Sequence, residues 1–230
     1  MTDAQKDVIL NVFMPRPGQT EWWVGDGNQF RQLAPGENHS RLITRRHVLS
    51  PPQCRVLIDC FERNAEALAP RTGNEYWDGR FIWQNSLPAH EVDARRIMQQ
   101  VRLVALMHLT QAYCPREPIY SDTVQIVRWN VGQELTPHAD NVEPDGRPNT
   151  TPHRSHASIL YLNDDYEGGE TFFPGFGVRL KPETGTLVLF GANNDYVHGV
   201  TKVTKGVRYT CAGWFTQQKK MEDADAMLVF

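Results

Sequence analysis

The chain is poor in several things that would point to a function class. It has four cysteines in 230 residues, Cys54, Cys60, Cys114 and Cys211. None forms a C-x-x-C pair, so the usual structural zinc spacings are excluded. Cys54 and Cys60 fall on one predicted helix, a poor geometry for a disulfide. No apolar run approaches the roughly 18 residues of a membrane span. The best candidate, Leu103 to Leu109, is broken by His108. There is no cationic surplus: Lys+Arg 24 against Asp+Glu 27 leaves a net charge of -3. That balance disfavours a nucleic-acid backbone or an anionic membrane surface as partner. The opening MTDAQKDVIL lacks the basic and apolar regions of a secretion leader. The expectation is a soluble, cytoplasmic, reducing setting with mostly buried thiols, where the sequons at Asn38 and Asn149 go unused. Repeats and low-complexity tracts are missing too. The acids of 163–170 do not follow the order of an EF-hand calcium loop.

What is present reads as one globular domain. The chain is 40% hydrophobic and 22% charged, enough to bury a core without staples. Residues 1–40 are rich in Pro, Gly and aromatics, with one strand-like run at Val8 to Phe13. Ser50-Pro51-Pro52-Gln53 reads as a capping box with proline at the first helical position. Apolar residues at Cys54, Leu57, Ile58, Phe61, Ala65 and Leu68 then predict an amphipathic helix over 51–68. Ile97, Val101, Val104, Ala105, Leu109 and Ala112 predict a second helix from about Glu91 to Tyr113, with Pro115 past its end. Between them, segment 70–88 has no clean period but holds Tyr76, Trp77, Phe81 and Trp83. It is either a lid or binding loop, or a surface loop that tucks its aromatics inward.

From Thr123 the pattern changes to strands: 123–129, 135–138, 157–163, 169–173, 177–181, 186–190, 196–201 and 207–215. Turn residues such as Asn163-Asp164-Asp165 and Gly168-Gly169 separate them. The fold class is mainly β with flanking helices, a barrel or two-sheet jelly roll packed on two N-terminal helices. We expect a single domain over 1–230, with a flank at 1–122, a β core at 123–216 and a tail at 217–230.

Chemistry concentrates in His138-Ala139-Asp140 and the later His198. On extended backbone, residues two apart face the same side, so His138 and Asp140 aim at one point. The predicted strand of His198 returns beside theirs. Two imidazoles and one carboxylate suit a facial triad on non-haem Fe(II); zinc accepts the same donors. Arg208 shares its strand face with Thr210, Ala212 and Trp214. A buried Arg needs a carboxylate partner. No acid on the last two strands supplies one, whereas a dicarboxylate cosubstrate would.

These residues resemble the signature of the Fe(II)- and 2-oxoglutarate-dependent dioxygenases, and within them the prolyl 4-hydroxylase branch. Tyr161-Leu162-Asn163 followed by Gly168-Gly169-Glu170-Thr171, the segment Gly185 to Phe190, and Trp214 carry the resemblance over 123–216. It implies a double-stranded β-helix fold. It implies Fe(II) on His138, Asp140 and His198, and 2-oxoglutarate as cosubstrate with O2. Arg208 would anchor the far carboxylate, with Tyr161 and Thr171 beside it, and ascorbate would serve as reductant. The implied reaction hydroxylates an unactivated C–H while 2-oxoglutarate becomes succinate and CO2. The intact Asp140 speaks against the related halogenases, which lack that carboxylate. Trp129 stands where the branch usually has Tyr, and Leu135 where an aromatic is frequent, so the substrate end departs from the pattern.

The substrate is read as a prolyl residue in a peptide or a proline-like amino acid. The alternative is oxidative tailoring of a small metabolite by hydroxylation, desaturation or cyclisation. A non-catalytic metal-binding module on the same barrel is the reading from another class. Trp129, Arg154, Tyr76, Trp77 and Trp83 are the candidate substrate contacts. His153, Arg154 and His156 read alternatively as a solvated loop, and His108 as a satisfied core histidine. The oligomeric state does not follow from the sequence.

Overall fold

Helix α1 (Pro51–Leu68) begins as its sequence dictates. The Ser50 backbone N–H donates to Gln53 Oε1 at 2.9 Å, and Pro51 opens the first turn, where a missing N–H goes unnoticed. Helix α2 (Val92–Tyr113) ends on Cys114, whose φ of 40 turns the chain left-handed before Pro115. A computed structural model describes residues 30–37, 39–69, 77–180 and 183–223. The strand-like run 8–13, Tyr76 and the apolar end of the tail at 227–230 lie outside the described residues.

Thirteen strands are found among the described residues. They are β1 (Arg31–Leu33), β2 (Ile43–Arg45), β3 (Phe81–Trp83), β4 (Tyr120–Trp129), β5 (Leu135–His138), β6 (Arg154–Tyr161) and β7 (Glu167–Gly168). Then come β8 (Thr171–Phe173), β9 (Val178–Leu180), β10 (Leu187–Gly191), β11 (His198–Val200), β12 (Val203–Lys205) and β13 (Arg208–Thr216). One sheet has the order β1-β9-β8-β11-β5, a second the order β2-β10-β6-β13-β4-β3, and β12 pairs with β7 apart from both. Only β1 and β9 among these pairs run parallel. The result is the double-stranded β-helix expected.

Alternation decides which side chains meet which layer. From the six-stranded sheet, Val124, Ile126, Leu160, Leu187, Leu189, Cys211 and Phe215 pack with Leu57, Phe61, Met98, Val101 and Leu109 of the helices. Residues of the opposite parity, among them Trp129, Ala157, Phe190, Arg208 and Trp214, turn to the space between the sheets. Cys54, Cys60 and Cys211 are buried, Cys114 is exposed, and none is bridged.

Several sequence expectations need correction. Three strands precede the second helix, because runs of three residues are too short to show a period-2 signal. The stretch 169–173 is a strand only from Thr171, since Gly168 and Gly169 take φ of 70 and 62 and break the extension. The stretch 196–201 opens with a 3-10 turn, Asn194–Tyr196, before its strand. Segment 77–88 is no free loop: β3 pairs with β4 and buries Ile82 in the helix-side core.

The solvated-loop reading of 153–156 also fails. Arg154 and His156 lie on β6, and His153 Nε2 and Arg154 Nε meet Asp122 Oδ2 at 3.2 and 3.1 Å. Asp122, itself buried, draws them in. His108 is half-buried, but its Nδ1 has no partner, so it is not a satisfied core histidine.

Burial pushes the His156 imidazole down to about 4. Its unfolded counterpart titrates near 6.5. Between those values the unfolded chain binds a proton that the native chain refuses, so stability is full above about pH 6.5 and falls as pH drops toward 4. Urea midpoints measured across that window should fall on acidification. In His156→Gln the slope should be shallower by about one proton.

Candidate metal and cosubstrate site

β5 and β11 are antiparallel neighbours, and His198 stands directly opposite His138 in their register. Asp140 follows β5 by two residues, and its backbone N–H donates to the Ala192 carbonyl at 2.9 Å. One donor atom from each of His138, Asp140 and His198 falls within 4.8 Å of the others. This is the one such group among the described residues.

Both imidazoles are oriented by the same device. His138 Nδ1 meets the Thr136 carbonyl at 3.2 Å, and His198 Nδ1 meets the Tyr196 carbonyl at 3.1 Å. Each Nδ1–H donates to a carbonyl two residues earlier, which leaves Nε2 as the lone-pair nitrogen. His138 Nε2 lies 3.7 Å from Asp140 Oδ1. Asp140 Oδ2 is sealed from water with no hydrogen-bond partner.

Burial works against ionisation of Asp140, but the His198 and His138 imidazoles outweigh it and hold the carboxyl well below the usual range. Burial and the neighbouring His138 push His198 down to about 4. Burial also disfavours the charged form of His138, yet its hydrogen bond to and attraction by Asp140 raise it. An ionised carboxylate, two inward nitrogens and a buried oxygen without a partner are the donor set a divalent cation needs.

The triad lines a cavity of about 420 Å³. Arg208 lines the same cavity, 2% exposed, directly across β4 and β13 from Trp129. Its Nη2 donates to Thr171 Oγ1 at 3.1 Å and its Nε has no partner. Among the described residues no carboxylate pairs with it. Its charge rests on rings instead, 5.5 Å from the Tyr161 centroid and 5.7 Å from that of Trp129. Tyr161 donates its hydroxyl to Thr171 Oγ1 at 2.8 Å. Tyr161 and Thr171 are thus gathered around Arg208, although neither lines the cavity itself.

The remaining walls include a cluster of Trp77, Phe81, Trp83, Trp129 and Leu135, together with Arg154 and Trp214. Arg154 lies 4.1 Å over the Trp214 ring. Sequence reasoning missed Gln125, buried and cavity-lining. Gln125 shares the parity of Trp129, so a polar residue at an inward position was the available signal.

The family model of the 2OG-Fe(II) oxygenase superfamily matches residues 124–216, the stretch that holds the triad and Arg208. Over that stretch the chain is similar to 2OG-Fe(II) oxygenase domains. Its relatives include human prolyl 3-hydroxylase 2, 36% identical over 91 residues, covering 34% of this chain and 13% of that protein. The probable prolyl 4-hydroxylase 9 of Arabidopsis thaliana is 25% identical over 230 residues, covering 90% of this chain and 74% of the relative. This chain therefore spans only a small part of the animal prolyl 3-hydroxylases it matches.

Solved structures share this fold. The viral collagen prolyl hydroxylase of Paramecium Bursaria Chlorella virus-1, in its 2OG complex, has a TM-score of 0.60 at 20% identity, covering 78% of this chain and 97% of that one. A Trichoplax adhaerens prolyl hydroxylase, in complex with a hypoxia inducible factor oxygen degradation domain peptide fragment, has a TM-score of 0.62 at 15% identity, covering 81% and 88%.

Proposed function

We propose that the protein is an Fe(II)- and 2-oxoglutarate-dependent dioxygenase that hydroxylates an unactivated C–H of a prolyl residue or a proline-like amino acid. The observation that carries this reading is Arg208, a buried cation without a carboxylate, lining the same cavity as the triad. His138, Asp140 and His198 hold the iron. Arg208, with Thr171 and Tyr161 at its side, holds the far carboxylate of the cosubstrate. When bound, the iron and 2-oxoglutarate supply the oxidising power, with O2 consumed and succinate and CO2 released as the substrate gains a hydroxyl. The chain's own residues orient, neutralise charge and exclude water. The fixed Nδ1–H bonds keep both imidazoles in the ligating tautomer. The ionised Asp140 offsets the metal's charge.

Trp77, Phe81, Trp83 and Trp129 form an apolar wall suited to a saturated ring, and Arg154 offers a polar contact in the same cavity. Tyr76 remains a candidate by its sequence neighbourhood alone. The names of the relatives support a prolyl substrate. Tailoring of a small metabolite is the second reading, favoured because segment 77–83 brings its aromatics into the cavity. Ascorbate as reductant and a cytoplasmic, reducing setting complete the proposal, supported by four unbridged cysteines. Among the described residues no helix is long and apolar enough to cross a membrane.

The test is succinate release with Fe(II), 2-oxoglutarate and ascorbate, screened over prolyl peptides, free proline and related amino acids. Substrate-stimulated succinate with a hydroxylated product is the expected result. Prolyl stimulation identifies the first substrate reading, and stimulation only by non-prolyl metabolites the second. No succinate with any of them, from protein that binds Fe(II), would leave a metal-binding module and overturn the enzyme assignment.

A further inference from the structure

Arg208 is held by hydroxyls and rings rather than by acids. Thr171 Oγ1 accepts from its Nη2, and Tyr161 donates to the same Thr171 oxygen. Two buried atoms close by are unsatisfied: Arg208 Nε and the Tyr166 hydroxyl. Tyr166 is 8% exposed and sits in the turn that leads into β7. Its ring and the Arg208 side chain both pack against Gly169. A methyl group there would stand 3.0 Å from Arg208 Cδ and 3.2 Å from Tyr166 Cε2. Burial pushes the Tyr166 hydroxyl pKa up, and the Arg208 guanidinium, in reach of that oxygen, opposes the rise.

A buried polar atom without a partner costs free energy, and here a donor and an acceptor are both left so on side chains that pack against the same glycine. A carboxylate in place of Tyr166 would satisfy the guanidinium but cancel its charge. A phenol oxygen accepts a hydrogen bond and leaves the positive charge whole, which is what an anion arriving from the cavity side requires.

We propose that Tyr166 is a positioning residue for Arg208: unpaired in the empty site, its hydroxyl accepts from the guanidinium when a 2-oxo dicarboxylic acid binds, and so aims the remaining N–H edge at the far carboxylate. This rests on the cosubstrate reading above. The role concerns one end of the ligand only, since the 2-oxo acid end belongs to the triad. Tyr166 therefore governs discrimination between a 2-oxo diacid and a 2-oxo monoacid of similar size.

The experiment is calorimetric titration of the Mn(II)-loaded full chain, without O2, with 2-oxoglutarate and with 2-oxobutyrate, which lacks the far carboxylate. Wild type and Tyr166→Phe are compared, with Mn(II) affinity and the melting temperature measured alongside. In Tyr166→Phe, 2-oxoglutarate should bind roughly tenfold more weakly, the loss of one charge-assisted hydrogen bond. Binding of 2-oxobutyrate and Mn(II) should be unchanged. The melting temperature should not fall, because the substitution removes an unsatisfied buried hydroxyl. Equal losses for both acids, or no loss for either, would overturn the role of Tyr166 while leaving the cosubstrate reading standing. A wild-type protein that does not prefer the diacid would overturn both.

Discussion

Replacing Asp140 or His198 with Ala should abolish stoichiometric Fe(II) binding and, with it, substrate-dependent succinate release. Each removal leaves two donors from a group whose atoms converge within 4.8 Å, and no other His, Cys, Asp or Glu among the described residues joins that group. Losing a carboxylate from a buried divalent site also removes the charge that offsets the metal, so affinity should fall on the order of a hundredfold or more. His138→Ala should behave the same way, although its side chain is 36% exposed and stands at the rim. Asp140→Asn separates shape from charge. It keeps the side-chain volume and should still lose the metal, because a neutral amide is a poor ligand among imidazoles. Metal content measured anaerobically after equilibrium dialysis reads all four variants. Any of the alanine variants retaining wild-type iron and turnover would end the assignment.

Much of this site was legible because its parts follow the simplest rule of strands. His138 and Asp140 share a face by spacing alone, and Arg208, Thr210, Ala212 and Trp214 do the same on β13, all lining the cavity. The partner histidine needed only a returning strand, and the register supplies it directly opposite. The helices were equally readable, from a capping box and an apolar stripe. What escaped is what depends on long-range company. A three-residue strand such as β3 exists because β4 offers it hydrogen bonds, not because Phe81-Ile82-Trp83 insists on it. His153 and Arg154 look like solvated polar residues until Asp122, 31 and 32 residues earlier, is seen against them. Tyr166 gives no local hint either. Its neighbours Arg208 and Gly169 come together only when the β7 turn folds over the end of β13.

Arg208→Leu should raise the 2-oxoglutarate requirement on the order of a hundredfold or more while the triad still binds iron one to one. Truncating one partner of a buried, hydrogen-bonded charge pair costs about 2–5 kcal/mol, and each 1.4 kcal/mol is a factor of ten in affinity. The effect should fall on the cosubstrate alone, because Arg208 touches Thr171, Tyr161 and Trp129 but none of the metal donors. Arg208→Lys should recover part of the affinity. A point charge remains, but the planar fork that matches a carboxylate at two points does not. Stability supplies a second readout with the opposite sign. Without ligand, a buried cation that lacks a carboxylate is a desolvation cost, so the leucine variant should melt no lower than wild type. Saturating 2-oxoglutarate should stabilise the wild-type, metal-loaded protein, since it binds the native state only, and should leave Arg208→Leu nearly unmoved. An unchanged 2-oxoglutarate requirement would place the anchor on another residue. A large fall in ligand-free melting temperature would mean that Arg208 holds the barrel together rather than waiting for an acid.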